Sequence, residues 1–475
     1  MIEVKTGKEL GNMYQIDFNH PVSVYFLGIG GSGMSSLAEI LANAGFRVSG
    51  SDRARSAFTD ILESKSITVF YGQRSENITD DIDCAVFTSA VPKDNPEYIA
   101  LQEKNIPCLT RAQLMGQIMK NFNTPIAVSG THGKTTTTSM VSEILLKAGL
   151  DPTISLGGIF NTIGGNARVG KTGYFVVEAD EYTNSFLNFF PKISIILNIE
   201  EDHPDFFKDL ADIRNSFRKF AELLPADGCL IINSAIPDYE EITKGLACRV
   251  ITYGTAPGAD YYSSDITYDE IGCPSFTLHS PDRKDRQFSL QVRGEHNVSN
   301  ALAAVALADL LSIDSSLTAE ALHTYSGAVR RFEYKGTVGG VTVIDDFAHH
   351  PTEIAATLNA AAKYPHKTLW CVFQPHTFTR TKALLKEFAE ALTLADRIVL
   401  ADIYPSREPV SLGSELGISS KDLQRELQAL GKECDYFPTF DEIENFLLEN
   451  CINGDLLITM GAGDVLKIGE SLLGK

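Results

Sequence analysis

Apolar runs of strand length recur along the 475-residue chain, each ending in a glycine or polar cluster and followed by a helical period. The first, residues 22–27, enters Gly28-Ile29-Gly30-Gly31-Ser32-Gly33, after which Met34, Leu37, Ala38, Ile40 and Leu41 recur at helical spacing. Residues 46–50 and 84–92 continue the alternation. A strand from Pro125 then leads through a glycine-bearing loop into a helix whose Met140, Val141, Ile144, Leu145 and Ala148 share one face. Further strands are predicted at 174–177, 193–199, 341–344, 368–373, 397–401 and 455–460. Mostly apolar strands interleaved with helices predict parallel sheets of the α/β class. Polar breaks near 121–125 and 327–332, with a length suited to about three domains, divide the chain into 1–123, 124–328 and 329–475.

The segment Gly130-Thr131-His132-Gly133-Lys134-Thr135-Thr136 joins the strand to the helix beginning near 134. Such a loop turns backbone N–H groups and a helix N-terminus toward phosphates, with Lys134 neutralising charge and the Thr135 hydroxyl available to Mg²⁺. The pattern is shorter than a strict P-loop, having Val128 where the first glycine would stand. The strands at 174–177 and 193–199 deliver Glu178-Ala179-Asp180-Glu181 and Glu200-Glu201-Asp202-His203 at their carboxyl ends, where α/β sheets place ligands. Glu178 and His203 are therefore candidates to complete a Mg²⁺ shell begun by Thr135, solvated loop charge being the plainer alternative.

Gly28–Gly33 is G-x-G-x-x-G in its strand-to-helix setting, and Asp52 follows the second strand, placed to hold a ribose hydroxyl. By motif the ligand is NAD, but the physics specifies only a diphosphate at a helix N-terminus with a sugar nearby, which a UDP-sugar also satisfies. Asn297 and Asn300 lie one turn apart at the start of an Ala-rich helix, as recognition of a purine edge would need, with helix capping the simpler reading. In the last third, strands end at Asp345-Asp346, Gln374-Pro375-His376, Asp402 and Gly461, so these clusters line one sheet edge. Tandem His349-His350 is poorly spaced for one ion and better suited to substrate or backbone hydrogen bonding.

The net charge of −20, from 41 basic and 61 acidic residues, disfavours nucleic acid and anionic membranes as partners. Anionic ligands then need local cations, for which Lys134, Arg330, Arg331 and Arg380 are candidates. Eight cysteines without a C-x-x-C pair suit buried thiols in a reducing compartment and indicate neither zinc nor disulfides. The opening residues lack signal-peptide order and no apolar run approaches the roughly 20 residues that span a bilayer, so a cytoplasmic protein is expected.

Taken in order, the glycine loop, the 130–136 loop, Glu178–Glu181, Asn198-Ile199-Glu200 with Asp202-His203, His296-Asn297, Arg330-Arg331-Phe332, Asp345-Asp346 with His349–Glu353, and Phe373–His376 with Thr379-Arg380-Thr381 resemble the motifs of the Mur ligases nearly end to end. The resemblance implies an α/β protein of three domains: N-terminal Rossmann-like for a UDP-sugar, central P-loop ATPase, and C-terminal Rossmann-like for an amino acid. It implies ATP-driven ligation of L-alanine to UDP-N-acetylmuramate through an acyl phosphate, with Mg²⁺, by a monomer or weak dimer in peptidoglycan synthesis. A relative that attaches a tripeptide to the same sugar is the nearest alternative, and a nicotinamide oxidoreductase the alternative outside the family. Carried over by position, Gly28, Gly30, Gly31, Ser32, Gly33, Asp52 and Ser89 meet the UDP-sugar; Gly130, Thr131, His132, Gly133, Lys134, Thr135, Thr136, Asn297, Asn300, Arg331 and Asp346 meet ATP. Thr135, Glu178 and His203 ligate the metal, and His349 and Arg380 hold the amino acid. Lys134, Glu178, His203, His349 and Arg380 are thus expected to carry the chemistry. Thr377, Phe347 and Tyr182-Thr183-Asn184 depart from the usual family residues.

Overall fold

The computed structural model describes residues 14–88, 91–281, 283–406 and 408–475. They fall into two compact units: one holds the described residues up to 199 with 214–253 and 303–321, the other 200–213, 254–302 and 322 onward.

In the first unit, Ser23–Leu27, the apolar run before the glycine loop, is the centre of a five-stranded parallel sheet ordered Thr68–Tyr71, Arg47–Asp52, Ser23–Leu27, Cys84–Phe87, Cys108–Thr110. Strand order reverses at Ser23–Leu27, and the glycine loop leaves from its carboxyl end, at the switch point where such sheets bind ligands. The same unit contains Thr124–Ser129, flanked on one side by Tyr174–Ala179 and on the other by Ile193–Ile196, all parallel. Cys229–Asn233 and Arg249–Gly254 extend this sheet beyond Ile193–Ile196, while Thr153–Phe160 and its antiparallel partner Gly165–Arg168 lie beyond Tyr174–Ala179. Ile126, Ala127, Val128, Phe175 and Val176 are fully buried, as strands covered on both faces require.

In the second unit, Val341–Asp346, Leu456–Met460, Leu369–Phe373, Arg397–Leu400 and Cys434–Tyr436 pair in parallel in that order, with Glu333–Val338 antiparallel at one edge. Ile344, Phe373, Leu400, Ile458 and the helices Pro351–Ala361 and Leu385–Leu392 share one core. Tyr261–Tyr268, Pro274–Ser280 and Arg283–Ser289 form an antiparallel meander in this unit, an element the hydrophobic pattern did not announce. Among the described residues no helix is long and apolar enough to cross a membrane, and the eight cysteines are free thiols, buried or half-buried.

Candidate active site

The helix Lys134–Lys147 begins at Gly133, whose φ of 83° is left-handed, a conformation that a β-carbon would strain. Met140, Val141, Ile144 and Leu145 are buried as their shared face predicts, while Ala148 is only half-buried. Thr135 to Ser139 and Ser142 are buried as well. Ser139 and Ser142 donate to the carbonyls of Thr135 and Thr138 at 2.5 and 2.7 Å, so these hydroxyls are satisfied within the helix.

The loop is clamped from the neighbouring strand end. Asn198 Oδ1 accepts the His132 N–H at 2.8 Å, its Nδ2 donates to the His132 carbonyl at 3.1 Å, and its carbonyl accepts the Thr131 N–H at 3.2 Å. Lys134 Nζ donates to the Gly130 and Thr131 carbonyls at 2.6 and 3.2 Å and to Glu181 Oε2 at 2.8 Å. Burial works against this ammonium, and the carboxylates of Glu181 and Asp180 more than offset it, so Lys134 holds its proton more firmly than a free lysine. Burial likewise pushes the Glu181 carboxyl up to about 7 against the pull of Lys134. Glu178 Oε2 lies 3.2 Å from the Thr135 hydroxyl, and its Oε1 accepts the Gly157 N–H at 2.7 Å. The two expected metal ligands from the P-loop and its neighbouring strand are therefore adjacent.

At the glycine loop, the Ser51 carbonyl accepts both Gly28 and Ile29 N–H groups at 2.8 and 2.9 Å. Asp52 Oδ2 accepts the Gly30 N–H at 2.8 Å and Oδ1 the Arg53 N–H at 2.7 Å, so the carboxylate expected at a ribose fastens the loop itself. A β-carbon at Gly30 would lie 2.8 Å from that carboxylate, the close approach that requires glycine there. Beneath lies a residue that motif reading missed: Glu97, fully buried, accepts from Tyr25 Oη, Ser51 Oγ and Asn77 Nδ2 at 2.9, 2.6 and 2.6 Å. Arg111 is a second omission; its guanidinium lies so close over Gly33 that an added β-carbon would meet Nη1 at 2.9 Å. Asn166 Nδ2 donates to the Ser32 carbonyl at 2.5 Å, and Ser36 and Ser155 hydroxyls lie 2.8 Å apart, tying the first turn of this helix to the Thr153–Arg168 region of the same unit. Ser89 lies outside the described residues.

In the second unit, Asn300 Nδ2 donates to Asn297 Oδ1 at 3.0 Å and Asn297 Nδ2 to the Arg293 carbonyl at 2.7 Å. Both lie inside the helix Glu295–Leu310, so neither side chain is its N-cap, contrary to the simpler expectation. Their shared face is intact. Arg330 is corrected as an anion site: its guanidinium donates to Asp345 Oδ2 at 2.8 Å and to the Gly463 and Gly461 carbonyls at 3.0 and 2.7 Å. Arg331 lies 5.2 Å from the Phe347 ring centre and 4.0 Å from Glu353 Oε1. Asp346 accepts the Phe332 and Ala348 N–H groups, both at 2.8 Å, and burial raises its carboxyl to about 6 despite Arg331.

Arg380 is almost fully buried, with Nε and Nη2 at 3.0 and 2.8 Å from Asp202 Oδ1 and Nη1 3.1 Å from His376 Nδ1. The Nε edge, one of the two that could hold a carboxylate bidentately, is thus taken by an aspartate for which sequence reading gave no role. Burial raises the Asp202 carboxyl and Arg380 lowers it further, with help from His203, His349 and His350, so it stays well below the usual carboxylate range. His203 has φ 54° and its N–H donates to Asp202 Oδ1 at 2.6 Å. His349 Nδ1 lies 3.1 Å from the Phe347 carbonyl, its ring packs edge-on to His376, and burial lowers it to about 4, leaving it neutral at pH 7. His350 Nε2 meets the Glu201 carbonyl at 3.1 Å, the backbone bonding expected of this pair.

Comparison with known proteins shows the family. Sequence models described as Mur ligase family, catalytic domain, Mur ligase middle domain, and Mur ligase, glutamate ligase domain match residues 23–123, 128–308 and 330–463. A protein of Lachnospira eligens named UDP-N-acetylmuramate–L-alanine ligase is 56% identical over 97% of this chain and all of its own length; one of the same name from Agathobacter rectalis is 56% identical over 98% and 100%. The crystal structure of UDP-N-acetylmuramate-alanine ligase MurC from Thermotoga maritima superposes with TM-score 0.81 at 29% identity, covering 95% of this chain and 98% of that one. A murein peptide ligase from Psychrobacter arcticus gives 0.73 at 26% over the same shares. With three domain models in family order, full-length relatives at this identity and a phosphate loop built as described, the chain belongs to the Mur ligase family.

Proposed function

We propose that this chain joins L-alanine to the carboxylate of UDP-N-acetylmuramate at the expense of ATP, giving ADP and phosphate. The full-length identity to ligases of that name carries the reading, and the tripeptide-adding alternative has the lower structural agreement. The glycine loop is then assigned to a UDP diphosphate rather than NAD, with Arg111 supplying charge beside it. A monomer or weak dimer in the cytoplasm, without nucleic acid or membrane partner, fits the −20 charge.

A carboxylate resists attack by amines, so it must first be activated. A muramyl carboxylate oxygen attacks the γ-phosphorus, the bond to the β-phosphate oxygen breaks, and an acyl phosphate and ADP result. The neutral amine of alanine attacks the acyl carbon, the tetrahedral intermediate expels phosphate, and the nitrogen loses a proton. Lys134 offsets the repulsion between two anions in the first step, and the N–H groups at the start of the Lys134–Lys147 helix orient the phosphates. Arg380 holds the alanine carboxylate on its remaining edge beside His376, and neutral His349 can accept a hydrogen bond from the amine. Asn297 and Asn300 face adenine, Arg331 the γ-phosphate and Asp346 the ribose.

Mg²⁺ fits the donor set. Hydroxyl and carboxylate are hard oxygen ligands, and neighbouring oxygens of a Mg²⁺ octahedron lie about 3 Å apart, close to the 3.2 Å between Thr135 and Glu178. Bound there with phosphate oxygens, it would neutralise charge on the transferring phosphoryl group.

The test is phosphate release with UDP-N-acetylmuramate and ATP while the acceptor is varied. Release is expected only with both sugar nucleotide and a small L-amino acid, and K134A should lower it by about 10³, roughly 4 kcal/mol of transition-state stabilisation. Turnover driven by tripeptide instead of alanine, or undiminished in K134A, overturns the reading.

A further inference from the structure

Arg380 stands on Phe378–Ala383, a helix of six residues whose N-cap, Thr377, gives no side-chain hydrogen bond and sits at φ 66°, ψ 144°. That is a strained region for a β-branched residue. Thr377 is nevertheless buried, its N–H held by the Tyr404 carbonyl at 2.9 Å and its own carbonyl by Thr381 Oγ1 at 2.7 Å. The missing cap comes from a different strand end. Glu408 Oε2 accepts the Phe378 and Thr379 N–H groups at 2.5 and 3.3 Å, and its Oε1 accepts the Thr379 hydroxyl. The loop carrying Glu408 is itself anchored, since the Glu408 N–H donates to the Pro405 carbonyl at 2.9 Å and the Tyr404 N–H to the Pro375 carbonyl at 2.8 Å. Nearby, Phe378 packs with Ile403 and Ile418, and Gly413 lies against its ring.

We infer that Glu408 is a positioning residue for the amino-acid site: its carboxylate holds the first turn of the Phe378–Ala383 helix, and through it the strained Thr377 and the direction in which Arg380 presents its free edge. The inference rests on the assignment of Arg380 to the alanine carboxylate. A carboxylate suits the place physically, because unsatisfied N–H groups at a helix start favour negative charge, and the N-cap Thr377 supplies no side-chain cap of its own. The Glu408 carboxylate bonds Phe378 and Thr379 of the Arg380 helix, so its effect is expected to fall on one substrate.

Steady-state kinetics of E408A and E408Q, each checked for folding by thermal denaturation, with R380K as reference, decide the matter. Expected for E408A is an alanine KM about tenfold higher, the size of losing charge-assisted hydrogen bonds at one turn, with kcat and the KM values for ATP and UDP-N-acetylmuramate within about twofold. E408Q keeps an uncharged acceptor and should recover most of the loss; if E408A does not fold, a selective rise in alanine KM of about threefold in E408Q is the expected result. Unchanged alanine KM in folded E408A, while R380K raises it, overturns the inference and leaves the Arg380 assignment standing. Unchanged alanine KM in both overturns the Arg380 assignment, and the inference with it. An equal rise in all three KM values marks general loosening and also overturns it.

Discussion

Replacing Asp202 with alanine removes the only carboxylate hydrogen-bonded to Arg380 among the described residues, in a place where both side chains are under a tenth exposed. Two Arg380 donors converge on one oxygen at 3.0 and 2.8 Å, which also accepts the His203 N–H at 2.6 Å. A hydrogen bond to a charged group contributes about 1.5–3 kcal/mol, and leaving one member of a buried ion pair uncompensated costs about 3–5 kcal/mol. Arg380 retains His376 and the part of the guanidinium nearest it, so the lower part of that range is expected: about 3 kcal/mol for D202A, and about half of that for D202N, which keeps an oxygen at the same position. R380M strands the Asp202 carboxylate and should cost a similar amount. The combined D202A/R380M change removes both charges and should cost little more than either single change, a coupling of at least about 2 kcal/mol. Urea denaturation followed by circular dichroism reads all four quantities. Costs that simply add, or a D202A cost below about 0.5 kcal/mol, would show that the pair is held in place by its surroundings and contributes nothing of its own.

R111M should raise the KM for UDP-N-acetylmuramate roughly tenfold with little change in that for alanine, because it removes the cation lying over Gly33; an unchanged sugar-nucleotide KM in steady-state assays would remove Arg111 from the site. The buried carboxyl of Asp346, raised to about 6, gives a signed pH effect. Since its folded pKa lies above the unfolded one, ionisation costs stability that is retained below the unfolded value and lost as pH rises through about 6, and the same ionisation creates the better acceptor for ribose hydroxyls. ATP affinity measured with a fluorescent nucleotide should therefore fall as pH drops through that value in the native chain relative to D346N. Parallel profiles for the two proteins would contradict either the ribose contact or the shift.

Which parts were legible in the sequence follows from the range of the interactions. Apolar runs located the strands that matter, and their polar termini located loops, because a buried parallel strand is written in consecutive residues. The ends were less exact: the run 193–199 forms a strand only to Ile196, since the Leu197 N–H still bonds the Ser129 carbonyl while Asn198 turns to clamp His132. The buried serines of the Lys134–Lys147 helix escaped notice for the opposite reason. Hydropathy counts a hydroxyl as polar, yet Ser139 and Ser142 bond their own helix and lose little by burial. Partnerships across more than a hundred residues, such as Asp202 with Arg380 or Asn166 with Ser32, leave no periodic trace at all.

The cations expected to wait for anionic substrates instead each have an acid close by. Lys134 meets Glu181, Arg330 meets Asp345, Arg380 meets Asp202, and Arg331 approaches Glu353. A chain of net charge −20 can afford this, and burial demands it, because an unpaired ammonium or guanidinium in these half-dry strand ends would be expensive. The pairing also separates the four chemically. Arg330 has its carboxylate and two carbonyls around it and is left with structure alone. Lys134 has carbonyls on the very loop proposed to cradle phosphate, so on that proposal an arriving phosphate oxygen would compete with acceptors of lower charge. Arg380, with one edge fixed by Asp202, would on the proposed function be aimed before a substrate arrives, which would lower the ordering cost of holding a ligand as small as alanine. Counting cations by position predicted where charge sits; the acid partner decides which of them is free to bind.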